Sequence, residues 1–228
     1  MAKTKEITTS AKIENKFITF LGTYKKLLII IAVALVVAML GLWAGISIAD
    51  KRANTLQSEI DNLQQTYSEW IFMEDKATTE AQSMKESLLA DLSQLASKNN
   101  KSYPVLKATY LLGLIAFEEG EYTQSLESFL KVAERGKQTY LGSLALFNAG
   151  VSSELLNDSV QAIEYYQQLY DYYGSEAAEA PKALFSLARL HESNNNMELA
   201  KAVLQQLADE FPASEYAKLA QSRLVVLQ

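Results

Sequence analysis

His191-Glu192 is the nearest this chain comes to a catalytic pair, and it fails the first chemical test. A zinc-protease helix needs a second histidine one turn further on, so that two imidazoles face the metal together. His191 is the only histidine in the 228 residues, and Ser193-Asn194-Asn195 follows instead. No glycine-rich phosphate loop or G-x-S-x-G elbow is present. Glu118-Glu119-Gly120-Glu121 gathers three carboxylates, yet consecutive acids around a glycine read as a solvated turn rather than a calcium cage. The absence of cysteine excludes disulfides, thiolate metal sites, a cysteine nucleophile and a lipidated cysteine. The sequence therefore predicts a non-enzyme without cofactor or metal, and function is sought in binding.

The formal charge of −6 is unevenly distributed. Residues 1–26 hold six lysines against Glu6 and Glu14, a net +4, which leaves −10 on the remainder. An acidic body argues against nucleic acid, whose phosphates demand a basic face. The basic tail precedes "LLIIIAVALVVAMLGLWAGISIA", Leu27–Ala49, a stretch without one charge. As a helix rising ~1.5 Å per residue it spans about 34 Å, enough for a ~30 Å hydrocarbon core. A single transmembrane helix is expected, with the lysine-rich tail cytoplasmic and residues 50–228 across the membrane. Cleavage after Ala49 is the alternative, because Ser47 and Ala49 are small, although the run exceeds the usual ~7–15-residue signal core. Gly41 and Gly45 allow close helix contact in lipid, or simply lie near an interface marked by Trp43.

Residues 50–100 read as a helical stalk. Leu56, Ile60, Leu63, Tyr67 and Trp70, then Ala77, Ala81, Met84, Leu88 and Leu95, recur at steps of three and four. Glu74 and Asp91 interrupt the seam, and Leu92 falls one residue late. Two readings fit: a coiled coil joining two copies of the chain, or a seam packed on the domain that follows.

Residues 101–228 carry a repeat. Gly113, Gly150 and Ala188 stand 37 and 38 residues apart, and the same offsets link Gly120, Asn157 and Asn195. They also link Ser125, Ala162 and Ala200, then Phe129, Tyr166 and Leu204. Such registration predicts an all-α solenoid of about three helical hairpins. Pro104 and Pro181 stand where first helices begin, while Gly136, Gly174 and Pro212 follow second helices. Tyr216, Leu219, Ala220, Leu224 and Leu227 predict a capping helix over the last apolar face.

These residues resemble the tetratricopeptide repeat. Gly113, Gly150 and Ala188 match its small eighth position, and Ser125, Ala162 and Ala200 its small twentieth. Phe129, Tyr166 and Leu204 match its large twenty-fourth, and Pro212 its terminal proline. Thr109, Leu146 and Leu184 depart from the tryptophan of position four. The resemblance places His191 at a packing position and implies a concave groove lined by first helices. Tyr110, Leu114 and Phe117, then Phe147 and Val151, then Phe185 and Arg189 would form its apolar wall, open or covered by the stalk. The groove lacks the Lys/Asn pattern of carboxylate-clamp domains. Spacing puts Tyr166, Tyr170 and Tyr173 on a buried face, with Tyr165 and Tyr172 outside it.

Tail, anchor, stalk and repeats in this order, with "ENKFITFLGTYKK" before the anchor, resemble the ancillary SecYEG translocon subunit (YfgM-type) family of bacterial inner-membrane proteins. That likeness implies a periplasmic adaptor or chaperone-like scaffold whose partners are the Sec translocon, a periplasmic chaperone or exported clients. "DEFPASEYAKLAQSRL", 209–224, resembles instead the closing repeats of cell-envelope assembly and division coordinators. A regulatory subunit of an envelope enzyme is the third reading.

Overall fold

The computed structural model of the protein describes residues 9–98 and 101–227. Lys3, Lys5 and Glu6 of the basic tail lie outside the described residues, as do Asn99, Asn100 and Gln228. Among the described residues there is no strand. The helices are α1 (Thr9–Ile71), α2 (Thr79–Ala96), α3 (Tyr103–Glu118), α4 (Tyr122–Arg135) and α5 (Tyr140–Leu155), then α6 (Ser159–Tyr173), α7 (Ala180–Ser193), α8 (Met197–Glu210) and α9 (Glu215–Val226). A 3-10 turn, Gly174–Glu176, separates α6 from α7.

The chain divides into two units, Met1–Thr55 and Leu56–Gln228. In the first, the apolar run within α1 is bare: Ile30, Val37, Leu42 and Trp43 are each more than 60% exposed. By length and composition this helix could cross a membrane.

The second unit is a row of antiparallel helix pairs. It begins with a pair that the repeat offsets did not reveal. The last part of α1 folds back onto α2, and together they cover α3. Ile60, Leu63 and Trp70 meet Leu88, Leu92 and Leu95, and all six pack with Val105, Leu111 and Ile115. The turn between α1 and α2 needs neither glycine nor proline. Asp75 accepts from the Ala77 N–H at 2.8 Å, and Thr78 caps α2 by accepting from the Ala81 N–H at 3.2 Å. Glu74 interrupted the seam because it belongs to this turn. Leu92 rather than Asp91 faces inward, giving α2 a stripe at i, i+4 and i+7 through Leu88, Leu92 and Leu95. The seam of the predicted stalk is thus buried inside one chain. The coiled-coil dimer would require the same face, and the structure replaces it with an extra hairpin at the head of the solenoid.

The three registered hairpins follow, α3–α4, α5–α6 and α7–α8. Each turns by the same device. Gly120, Asn157 and Asn195 adopt positive φ of 79°, 60° and 60°. The next N–H then donates back to a carbonyl five residues earlier: Glu121 to Ala116, Asp158 to Ser153, and Asn196 to His191, at 2.8 to 2.9 Å. This closes the last turn of each first helix and reverses the chain. Asparagine tolerates the left-handed region better than other side chains, which explains how it replaces glycine twice.

Within each hairpin one close approach sets the helix spacing. A Cβ placed on Gly113 would lie 2.8 Å from Phe129 Cε1, and one on Gly150 would lie 2.5 Å from Tyr166 Cε1. Where the third hairpin carries the smaller Leu204, Ala188 fits, and both are buried in the same cluster. The pairing of a small residue with a large one is therefore graded by size.

The cap α9 buries Ala217 and Ala220 fully, with Tyr216, Leu224 and Leu227 packed around them. Leu219, expected on that inner face, is 50% exposed, and the buried stripe of α9 runs through Ala217 and Ala220 instead. We predict that Gly150→Val destabilises the protein by about 2–3 kcal/mol in urea unfolding, because the Tyr166 ring is fully buried and has no free end to move. Gly150→Ala combined with Tyr166→Leu should cost less than the sum of the single changes, since it recreates the Ala188–Leu204 pairing.

Candidate protein-binding surface

The seven residues expected to line a groove all lie on the first helices α3, α5 and α7. Their exposure divides them. Tyr110 and Phe147 are only 8% and 4% exposed, because each ring packs inside its own hairpin. Tyr110 meets Phe129 at 5.3 Å between centroids, and Phe147 meets Tyr166 at 5.5 Å. Lys182 on α7 lies over the Phe147 ring at 4.5 Å. These two aromatics are core residues that shape the inner face without presenting surface. Leu114, Phe117, Val151 and Phe185 are half-buried, and each keeps part of its side chain in solvent. Leu114 also touches the α1–α2 cluster, so the leading hairpin covers part of the first copy. Phe117 packs edge-on against Tyr122 at 5.6 Å, and Phe185 meets Tyr216 of the cap at 5.8 Å.

Arg189 is exposed, but its guanidinium is engaged. It donates to Glu154 of the preceding hairpin, whose other carboxylate oxygen accepts from the Tyr166 hydroxyl at 2.8 Å. Glu192, three residues beyond Arg189, accepts from Arg223 on the cap through Nε at 2.8 Å and Nη2 at 2.5 Å. First helices are thus stitched to their neighbours by charges on the same inner residues. A neutral stitch is added by Asn148, which donates to the Tyr110 hydroxyl at 2.6 Å.

Burial raises the phenol pKa of Tyr110 and Tyr166, with the Glu154 carboxylate adding to the effect at Tyr166. Burial likewise lowers the His191 imidazole. Its Nδ1 is enclosed without a hydrogen-bond partner, at the packing position that Ser153 fills one hairpin earlier. No group of three or more metal-ligating side chains occurs among the described residues.

A feature that spacing did not assemble lies between α4, α5 and α6. Leu130, Glu134, Lys137, Tyr165, Tyr172 and Tyr173 line a cleft of about 470 Å³. Lys137 Nζ sits 3.7 Å from the Tyr172 ring centroid, and the Tyr173 hydroxyl donates to the Lys137 carbonyl at 2.9 Å. Tyr166 is buried, Tyr170 and Tyr173 are half-buried, and Tyr172 is 46% exposed. The seven-residue step from Tyr165 to Tyr172 was the legible part of this cleft. Lys137 enters from the loop that joins α4 to α5.

The family model described as tetratricopeptide repeat matches residues 110–177 and again 156–215. Together the two matches run from within α3 to the start of α9. A TPR repeat-containing protein of Treponema pallidum (strain Nichols) is 23% identical over 156 residues, 68% of this chain. The chain spans 64% of that relative, slightly under two-thirds of its length. The photosystem I assembly protein Ycf3 of Cyanophora paradoxa is 27% identical over 121 residues, 47% of this chain and 68% of its own. Among solved structures, the TPR-like repeats of a putative kinesin light chain from Podosopora anserina superpose with a TM-score of 0.56 at 13% identity. That likeness covers 77% of this chain and 85% of the other, and it concerns the fold alone.

The repeats give the ion-pair network unequal partners. Glu154→Ala should cost about 1–2 kcal/mol, because it leaves the buried Tyr166 hydroxyl without its acceptor. Arg189→Ala should cost under about 1 kcal/mol, since that side chain is half in solvent. Chemical denaturation of both variants checks the order. For His191 the folded pKa lies below the unfolded one, so the unfolded state takes up the proton first as pH falls. Its contribution is therefore lost on acidification from about pH 6.5 downward. Melting temperatures from pH 7 to pH 5 should fall less steeply for His191→Gln than for the parent.

Proposed function

We propose that this chain is a membrane-anchored tetratricopeptide-repeat scaffold that holds protein partners on the inner face of its repeats. The observation that carries the reading is a chemical mismatch within one helix. Leu27–Ala49 leaves side after side of aliphatic surface in solvent, at a cost of about 25 cal/mol per Å² relative to an apolar environment. The second unit has its own closed core and does not need that segment as packing material. Lipid satisfies the mismatch, and the lysines before Leu27 orient the tail to the cytoplasm.

The repeats supply the binding element. Leu114, Phe117, Val151 and Phe185 offer partial apolar surface in register along α3, α5 and α7, suited to a helical or unfolded segment. The resemblance to the ancillary translocon subunit supports a periplasmic site, with the Sec channel, a periplasmic chaperone or exported chains as partners. Packing of the 56–96 region on the solenoid disfavours the division-coordinator reading, which relies on a free coiled-coil stalk.

Three measurements test this. Carbonate extraction should leave the chain in the membrane fraction, and release into the supernatant would refute anchoring. Protease added to spheroplasts should digest the repeats, whereas their protection would reverse the orientation. A photo-crosslinker at position 151 or 185 should capture Sec-channel or exported-chain peptides, and capture of division proteins instead would favour the rival.

A further inference from the structure

Ahead of its apolar run, α1 carries a second pattern. Residues 14–26, "ENKFITFLGTYKK", hold Lys16, Lys25 and Lys26 against the single acid Glu14. At ~100° per residue, Phe17, Phe20, Leu21 and Tyr24 fall within an arc of about 100°. Lys16 borders that arc on one side and Lys25 on the other, while Thr19, Thr23 and Lys26 lie across the helix. Ile18 is the one large aliphatic residue outside it. The arc is bare: Phe17 is 62% exposed and Phe20 49%, and the Phe20 and Tyr24 rings lean together at 4.9 Å between centroids. None of the three lysines makes an ion pair among the described residues.

Distance and charge decide what covers this arc. Phe17 precedes Leu27 by ten residues, about 15 Å of straight helix. With Leu27–Ala49 in lipid, an upright helix would lift Phe17 clear of a headgroup layer only ~5–7 Å thick. Laid along the surface, the same ring reaches the acyl boundary, and Lys16 and Lys25 meet phosphate oxygens on both flanks. The helix is weakest where such a bend is needed. Gly22 is a poor helix former, and the Thr23 hydroxyl donates to the Thr19 carbonyl at 2.9 Å, a back-bond that competes with the helical ladder. We propose that residues 14–26 are an interfacial helix that binds anionic phospholipid beside the anchor. This rests on the anchoring of Leu27–Ala49 and adds to it a site for acidic headgroups. A protein groove is the poorer occupant, since it would need acids along both borders of an apolar floor. An anionic leaflet offers both to any basic amphipathic helix.

The test uses the full chain in nanodiscs, whose two equivalent faces remove orientation from the result. The chain has no cysteine, so Phe17→Cys and Thr19→Cys each accept one polarity-sensitive fluorophore. The two positions stand at nearly the same height on an upright helix and on opposite sides of one that lies flat. In discs of phosphatidylcholine with phosphatidylglycerol, the label at 17 should show the long lifetime of an apolar site and that at 19 the short lifetime of water. The lipid-bound to free ratio at position 17 should fall in pure phosphatidylcholine and with added salt. Each of Lys16→Gln, Lys25→Gln and Lys26→Gln should lower it about fivefold. Phe20→Ser combined with Leu21→Ser should release the label, and a label that stays bound would be holding itself, which overturns the proposal. Equal water exposure at 17 and 19, or equal ratios in the two lipid mixtures, would overturn it too. Shielding of position 17 in native membranes but not in phosphatidylglycerol discs would assign the arc to a protein instead. Release of the chain by carbonate refutes the anchor and this site together, whereas retention with a solvated label at 17 refutes only the site.

Discussion

The contact on which the repeat unit depends is the one between a residue with almost no side chain and a buried ring. Gly113 under Phe129 and Gly150 under Tyr166 bring two helices closer than any Cβ would permit. Closeness at that point makes the hairpin a rigid wedge, and identical wedges stack into a solenoid. Glycine inside a helix costs roughly 1 kcal/mol against alanine, yet burying an aromatic ring contributes more than that. The exchange is therefore favourable only where a large partner is present. Ala188, opposite the smaller Leu204, marks the size at which the glycine is no longer needed.

The opposite edge of each wedge is governed by backbone conformation rather than volume. Gly120, Asn157 and Asn195 hold left-handed φ values, and the returning N–H of the following residue closes the helix end. A turn so short fixes where the second helix starts. Phe129, Tyr166 and Leu204, each nine positions after the turn residue, must then arrive opposite the small residue. Turn and close approach are two ends of one constraint, which is why both recur at the same offsets.

Legibility in the sequence follows from that constraint. Wherever a hairpin obeyed it, the spacing of Gly113, Gly120, Ser125 and Phe129 in later copies revealed the fold. The leading hairpin does not obey it. Its turn runs from Phe72 to Thr78 and is built from Asp75 and Thr78 side chains, so no glycine or asparagine marks it. Its apolar stripe was visible, but a stripe at steps of three and four is the same for a coiled coil and for a helix packed on its neighbour. The candidate site was half legible for a related reason. Helical spacing places Tyr110, Phe147 and Phe185 on one face, but depth within that face depends on the size of residues across the hairpin. Tyr110 and Phe147 sank into contact with Phe129 and Tyr166, while Phe185 met the cap. Ion pairs such as Arg189 with Glu154 join different hairpins, and pairwise spacing within one copy carries no trace of them.

Those ion pairs also limit what the inner face could recognise under the proposed reading. Glu154 is shared between Arg189 and Tyr166, and Glu192 is clamped by Arg223, so the inner charges are spent on holding hairpins together. Recruiting either carboxylate to a ligand would strip a partner from a neighbouring side chain, and the loss would offset much of the new bond. Under the proposed reading, a partner on that face would meet partial apolar surface at Leu114, Val151 and Phe185, which tolerates many sequences and orders none by charge.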